Sequence, residues 1–124
     1  MSYQFTAMTP TIRIRLFDTV TSQDFAQCIA EVYKIEAECI DIPDRILDIR
    51  DVSDFELHFS TMFPFTEARK KMVLPKDIKT AIIVNQPLQI GLARMYQSLN
   101  TNPRVSIQIF STLADAESWV NDPG

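Results

Sequence analysis

The run Lys79-Thr-Ala-Ile-Ile-Val84, with the two segments that follow it, decides the fold of this 124-residue chain. Its apolar core, Ala81–Val84, does not alternate with polar residues, which is typical of a strand covered on both faces. Asn85–Leu99 then places apolar side chains at helical spacing behind Pro87, a residue that the first turn of a helix tolerates. In Arg104–Phe110 apolar and polar side chains alternate, as in a half-buried strand. Strand, helix and strand within about thirty residues predict a βαβ unit.

The N-terminal third predicts a hairpin followed by a helix. Tyr3–Ala7 and Thr11–Phe17 have the composition of strands, and the second alternates apolar and polar side chains. Thr21 and Asp24 have the spacing of a capping box, in which a hydroxyl and a carboxylate satisfy backbone N–H groups at a helix start. We expect this helix to end near residues 38–41, because Ile42 precedes a proline and is disfavoured in helical backbone.

Arg45–Val52 predicts the third strand, in the interior of the sheet. Asp48 would lie on a covered face of this strand, where a carboxylate needs a partner. Arg13 or Arg15 on a neighbouring strand is the expected partner. The segment 53–65 that follows is irregular in pattern and rich in aromatic residues.

The remaining segments complete the fold class. Residues 66–73 predict a short helix with its carboxylate early and its cations late, and Ser111–Val120 predicts a capped helix near the end of the chain. The order β-β-α-β-α-β-α-β-α predicts an α/β fold with a mixed, mainly parallel sheet of about five strands, one antiparallel edge strand and about four helices. The length suits a single domain over residues 1–124.

Composition argues against several classes of function. The net charge is −4 and the longest basic run is Arg69–Lys71, so no nucleic acid partner is expected. No segment has the roughly 20 apolar residues of a membrane span, and Met1–Thr6 lacks the features of a signal peptide, so a cytoplasmic location is expected. The only glycines are Gly91 and Gly124, too few for a phosphate-binding loop, and His58 is the only histidine. No metal or other cofactor is expected.

Three residues in the predicted helices have more than one interpretation. Gly91 costs about 1 kcal/mol inside a helix, and we interpret it as a site of close packing of helix on sheet. The alternative is a close approach of a ligand to the backbone near residues 85–89, at the carboxyl end of a parallel strand. Cys28 and Cys39 are eleven residues apart on one helix, too far to form a disulfide, and both are expected to face the core. The alternative is a redox role, which no neighbouring base or Cys-x-x-Cys spacing indicates.

Two parts of the chain carry a resemblance to a known family. Ile46–Val52 and the tail segments Gly91–Tyr96, Val105–Phe110 and Ala114–Trp119 resemble the STAS-like group of small bacterial domains. These domains share the fold of anti-sigma-factor antagonists, and some are compared with CRAL-TRIO lipid-binding domains. The resemblance covers nearly the whole chain and implies a bacterial STAS-like domain.

The resemblance also implies where a regulatory site would lie. In regulatory STAS domains the strand that matches Ile46–Val52 leads into an Asp-Ser-Ser-Gly loop whose serine is phosphorylated. The matching region here, Asp54–Thr61, lacks that signature. Ser60 or Thr61 stands in by position only, so phosphorylation chemistry is not carried over.

We therefore expect a non-enzymatic binding or regulatory module that acts through protein–protein contacts. The alternative is a carrier of a small apolar or lipid-like ligand in a cavity under the 54–65 loop. Self-association as a homodimer is also open, through the predicted edge strand Arg104–Phe110 or the aromatic loop 54–65. An enzyme ranks third and would need Asp48 or His58 to line a pocket. The candidate ligand or partner surface consists of residues from the aromatic segment and from the start of the later helix: Phe55, Leu57, His58, Phe59, Ser60, Thr61, Met62, Phe63, Phe65, Asn85 and Gln86.

Overall fold

The computed structural model describes residues 2–7, 10–39, 41–56, 74 and 76–122. Its five strands form one sheet in which the spatial order is the chain order. The strands are β1 (Tyr3–Ala7), β2 (Ile12–Thr21), β3 (Arg45–Glu56), β4 (Ile78–Ile83) and β5 (Val105–Phe110). The described residues contain three helices, which we number α1 (Ser22–Glu38), α2 (Pro87–Leu99) and α3 (Leu113–Val120).

The structure confirms the predicted α/β class, with a mixed, mainly parallel sheet of five strands. β1 pairs antiparallel with β2, and the pairs β2–β3, β3–β4 and β4–β5 are all parallel. β3 is interior and β5 is an edge strand, as the sequence indicates. The predicted helix at 66–73 lies outside the described residues.

The two faces of the sheet carry two separate cores. On one face α1 and α2 contribute Phe25, Val32 and Ala93 to a large core built on alternate residues of the strands, such as Ile14 and Ile82. On the other face α3 packs a small core, which consists of Ile46, Ala81, Ile83, Ala116 and Val120. The unbroken apolar run in β4 follows from this arrangement, because both faces of that strand are covered.

β2 and β3 are longer than the sequence predicts. They stay paired past the end of β4, with Val20 opposite Phe55 and Thr21 opposite Glu56. Asp18 adopts a positive φ of 57°, and the register of β2 with β3 shifts between Asp18 and Thr19. Asp18 therefore marks a β-bulge, after which the strand continues. The prediction that the irregular segment starts at residue 53 was therefore wrong, because cross-strand pairing holds residues 53–56 extended.

The capping box at the start of α1 is confirmed. The Thr21 hydroxyl accepts from the Asp24 N–H at 3.2 Å, and the Asp24 carboxylate accepts from the Thr21 N–H at 3.2 Å. The Ser2 hydroxyl donates to the same carboxylate, and this bond is the main reason that the pKa of Asp24 lies below its ordinary value. α1 ends at Glu38, within the predicted range.

The predicted partner of Asp48 was wrong. Arg50, two residues along the same strand, donates to the Asp48 carboxylate from Nε and Nη2 at 3.0 and 2.8 Å. Side chains two apart on a strand lie on the same face, so this pair needs no second strand. Arg13 instead pairs with Glu117 on α3, and Arg15 pairs with Asp51. Burial acts to raise the pKa of Asp48, but the bonds from Arg50 outweigh it and the pKa is lowered.

Gly91 is not a site of close packing, so that interpretation was also wrong. It lies on the exposed side of α2, and an added Cβ would meet no other atom within 4 Å. Glycine at this position therefore only lowers the helix propensity of α2.

We predict that Gly91→Ala raises the free energy of unfolding by about 0.5–1 kcal/mol, since alanine favours the helix and meets no neighbour. Urea unfolding of the wild type and the variant measures the difference. A destabilised variant would contradict the placement of Gly91 on an open helix surface.

We predict a pH-dependent cost for Asp24→Asn. Because the pKa of Asp24 is lower in the folded chain than the 3.8 of the unfolded chain, its carboxylate stabilises the fold above that pH. This contribution is lost as the pH falls through the folded pKa. At about pH 7 the variant should be about 1 kcal/mol less stable, as for other lost helix caps, and the difference should shrink at about pH 3. Urea unfolding at both pH values checks this, and a difference that does not change with pH would contradict it.

Candidate functional site

An apolar cavity of about 80 Å³ lies between the sheet and the helices α1 and α2. Its polar lining is limited to Arg45, Thr80 and Asn100 among the described residues, apart from two tyrosines. A space of roughly 10–15 Å³ is enough for one water molecule, so this cavity is several times larger than a packing defect. Apolar cavities of such a size tend to stay dry and to accept small apolar molecules. The other described lining residues are Ile14, Leu16, Phe25, Cys28, Ile29, Val32, Tyr33, Leu47, Ile49, Phe55, Ile82, Leu92, Ala93, Tyr96, Val105 and Ile107.

Short side chains on the helices leave this space open. Cys28 on α1 and Ala93 on α2 are 5% and 2% exposed, and both face the sheet across the cavity. Phe25 and Tyr96 join the two helices in an edge-to-face contact, with ring centroids 6.2 Å apart. This aromatic contact holds α1 and α2 together over the cavity, so the void does not simply collapse.

The two cysteines therefore differ, and the prediction that both face the core holds only for Cys28. Burial raises the pKa of the Cys28 thiol to about 12. Cys39 is half-buried and lies just beyond the end of α1, where the backbone is extended. Its side chain no longer follows the helical spacing on which that prediction depended.

One end of the cavity is polar, and we call it the polar end: Arg45, Thr80 and Asn100. Arg45 on β3 and Thr80 on β4 are direct neighbours in register, so their side chains share one face of the sheet. Arg45 Nη2 donates to the Glu36 carboxylate at 2.8 Å, and both side chains of this ion pair are 8% exposed. Asn100 donates to the backbone oxygen of Val105 at 2.8 Å.

The polar end was not predicted from the sequence. One signal was present, because Glu36 follows Cys28 and Val32 at intervals of four residues on the buried stripe of α1. A carboxylate on such a stripe requires a cationic partner. Arg45, at the start of the next strand, is the partner that the structure reveals.

The structure separates the predicted site residues into three groups. Phe55 lines the cavity from the end of β3. Asn85 and Gln86 are exposed, and Gln86 lines a distinct cleft of about 310 Å³ that shares no described lining residue with the cavity. The remaining predicted residues lie outside the described residues: Leu57, His58, Phe59, Ser60, Thr61, Met62, Phe63 and Phe65.

The cleft is organised by a buried glutamine. Gln89, 1% exposed, donates its side-chain amide to the backbone oxygens of Arg50 and Val52, each at 3.0 Å. Its side-chain oxygen accepts from the Asn85 N–H at 2.8 Å. The last register pair of β3 with β4 is Asp48 with Ile83, so Gln89 satisfies β3 backbone groups beyond that pairing. Its role is to hold the start of α2 against β3.

We predict that Gln89→Ala lowers the free energy of unfolding by about 3 kcal/mol, because buried backbone groups lose their partners. Gln86→Ala in the same cleft is the matched control, since Gln86 is exposed and its side chain makes no capping bond. We expect that variant to stay within about 0.5 kcal/mol of the wild type. Denaturant unfolding of both variants checks the prediction, and similar effects of the two would contradict it.

Comparison with known proteins gives the fold. No family profile matches the chain, and no curated protein sequence matches it. Among solved structures, the chain is similar to an uncharacterised protein of the DUF3478 family with a SpoIIAA-like fold from Shewanella loihica PV-4. The TM-score is 0.63 at 16% identity, over 95% of this chain and 91% of the other. At that identity the similarity establishes the fold alone, and the predicted STAS-like fold is confirmed.

None of the described helices is both long and apolar enough to cross a bilayer. Over the same ranges, histidine, cysteine, aspartate and glutamate side chains do not gather in groups of three or more that would hold a metal ion.

Proposed function

We propose that this SpoIIAA-like chain is a non-enzymatic binding module that holds a small apolar molecule in the cavity between the sheet, α1 and α2. The observation that carries the proposal is the cavity itself, which has about 80 Å³ of space and mostly apolar walls. Ligand pockets are typically apolar concavities with a few placed polar groups, and this cavity fits that description.

The chemistry of the lining favours binding over catalysis. The Cys28 thiol, with a pKa of about 12, is a poor nucleophile near neutral pH. Arg45 is engaged by Glu36. Asp48, one of the two residues that an enzyme was expected to use, bonds Arg50 and does not line the cavity. His58, the other, lies outside the described residues.

Protein–protein contact is the second candidate function. It is supported by the position of β5, whose outer edge has no partner strand within the described part of the chain. An open edge can pair with a strand of another chain, including a second copy of this one. A partner surface on the aromatic segment 54–65 stays a prediction, because most of that segment lies outside the described residues.

We predict that benzene raises the free energy of unfolding of the wild type, by an amount that grows with the logarithm of its concentration above the Kd. Ala93→Leu should abolish this effect by filling the cavity, and Cys28→Leu is a second variant of the same kind. Ala114→Leu, on the exposed side of α3, is the matched control and should keep the effect.

Urea unfolding with and without benzene is the measurement, on protein that has first been denatured, extracted and refolded to remove any bound molecule. Equal benzene effects in the wild type and in both filled variants would overturn the proposal. So would no benzene effect in the wild type.

A further inference from the structure

We propose that two side-chain amides of α2, those of Gln97 and Asn100, restrain the outer edge of β5 from pairing with β5 of a second copy of this chain. We call these two side chains the edge amides. When they are displaced, the two copies of β5 pair antiparallel. This inference rests on the second candidate function, protein–protein contact, and does not depend on a ligand in the apolar cavity.

The outer edge of β5 consists of the backbone groups of alternate residues. The Phe110 oxygen accepts from the Val84 N–H at 2.9 Å, so Phe110 faces the β4 side of the strand. Successive residues of a strand direct their N–H and C=O groups to opposite sides, and β5 pairs with β4 without a shift in register. The groups of Val105, Ile107 and Ile109 therefore face away from β4 and form the outer edge.

The edge amides bind two of the three carbonyls at this edge. Gln97 Nε2 donates to the Ile107 oxygen at 2.6 Å, and Asn100 Nδ2 donates to the Val105 oxygen at 2.8 Å. The Val105 N–H donates to the Asn102 oxygen at 3.1 Å. A strand that pairs with β5 needs these same groups, so it must first displace the amides. Gln97 is exposed, which allows its side chain to move into water.

The rest of the outer edge is open. Within the described residues, the Ile107 N–H and the N–H and C=O of Ile109 have no hydrogen-bond partner. Edge strands are usually protected from pairing by charged side chains, proline or a bulge. Val105–Phe110 has no charged residue, no proline and a regular register with β4. The edge amides are therefore the protection that the described structure provides.

The sequence of β5 is complementary to itself, which favours a second copy as the partner. Antiparallel pairing centred on Ile107 places Val105 opposite Ile109 of the second copy and Ser106 opposite Gln108 of the second copy. All three edge residues of each copy then exchange hydrogen bonds with an edge residue of the other. Apolar side chains lie opposite apolar ones on one face of the sheet, and polar lie opposite polar on the other.

Gln97→Ala combined with Asn100→Ala removes the edge amides. We expect the dimer dissociation constant of this double variant to be at least about tenfold lower than that of the wild type, because each wild-type copy must first break two hydrogen bonds. Analytical ultracentrifugation measures the constants, and circular dichroism checks that the variant folds. Gln97→Ala alone, at an exposed helix position, should lower the constant too, so the test remains decisive if the double variant does not fold.

Gln27→Ala combined with Asn121→Ala is the matched control. Gln27 is exposed on α1, Asn121 is exposed at the end of α3, and neither side chain bonds to β5. This double variant should have the dissociation constant of the wild type.

Charges on β5 test the pairing register. In the variant without edge amides, Ser106→Lys with Gln108→Lys places like charges directly opposite each other across the two copies, and we expect dimerisation to be lost. Ser106→Glu with Gln108→Lys places opposite charges there instead, and we expect dimerisation to return. Both positions are exposed, so the fold should tolerate these changes.

The outcomes separate this inference from the function on which it rests. Tighter dimerisation without the edge amides, lost with the lysine pair and restored with the opposite charges, supports it. Dimerisation that does not respond to these charges overturns it, because the contact then lies elsewhere. If removal of the amides changes nothing while the lysine pair breaks a wild-type dimer, this inference fails and protein–protein contact through β5 stands. If neither protein dimerises, self-association through β5 fails with it.

Discussion

The parallel pairing of β2 with β3 is the interaction on which the rest of the described structure depends. It is the longest ladder in the sheet and runs from Ile12 opposite Arg45 to Thr21 opposite Glu56. α1 is the connection between these two strands, so their pairing places it over the sheet. The ladder also pairs Val20 with Phe55, which lines the cavity. The register of β3 with β4 then sets Arg45 beside Thr80.

The cavity follows from how two helices meet that sheet. α1 and α2 contact each other through Phe25 and Tyr96, and they face the strands through the short side chains of Cys28 and Ala93. Large aromatic rings keep the helices together while small residues keep them from filling the space beneath. The buried ion pair of Glu36 with Arg45 joins α1 to β3 at the polar end. The pair gives the Glu36 carboxylate, on the buried stripe of α1, the cationic partner that a buried charge requires.

Local sequence signals predicted the elements that depend on local physics. The capping box of Thr21 and Asp24 was predicted correctly because both of its hydrogen bonds lie within one helical turn. The βαβ unit of β4, α2 and β5 was predicted correctly because the apolar run and the periodicity are properties of each segment alone. The resemblance to STAS-like domains extended these local predictions to the fold.

The predictions that failed depend on contacts between distant parts of the chain. The length of β3 is set by its pairing with β2, which continues to Glu56. The turn-forming residues at 53–54 therefore do not indicate where the strand ends. The close packing expected at Gly91 assumed a helix orientation that α2 does not have. Of the residues that line the cavity, the sequence analysis had named only Phe55 as a site residue. The cavity that it considered as an alternative was placed under the 54–65 loop, most of which lies outside the described residues. The polar end was not predicted, because only the register of β3 with β4 brings Arg45 to Thr80.

Crystallography of the protein under xenon pressure shows whether the apolar cavity accepts a guest, since xenon enters dry apolar cavities and is visible as strong electron density. We expect xenon between the sheet and the helices, in contact with Cys28, Ile49 and Ala93. Density for a bound molecule in the same space before pressurisation would also support a ligand cavity. A core in which side chains close this space, with neither xenon nor a bound molecule there, would rule the ligand cavity out.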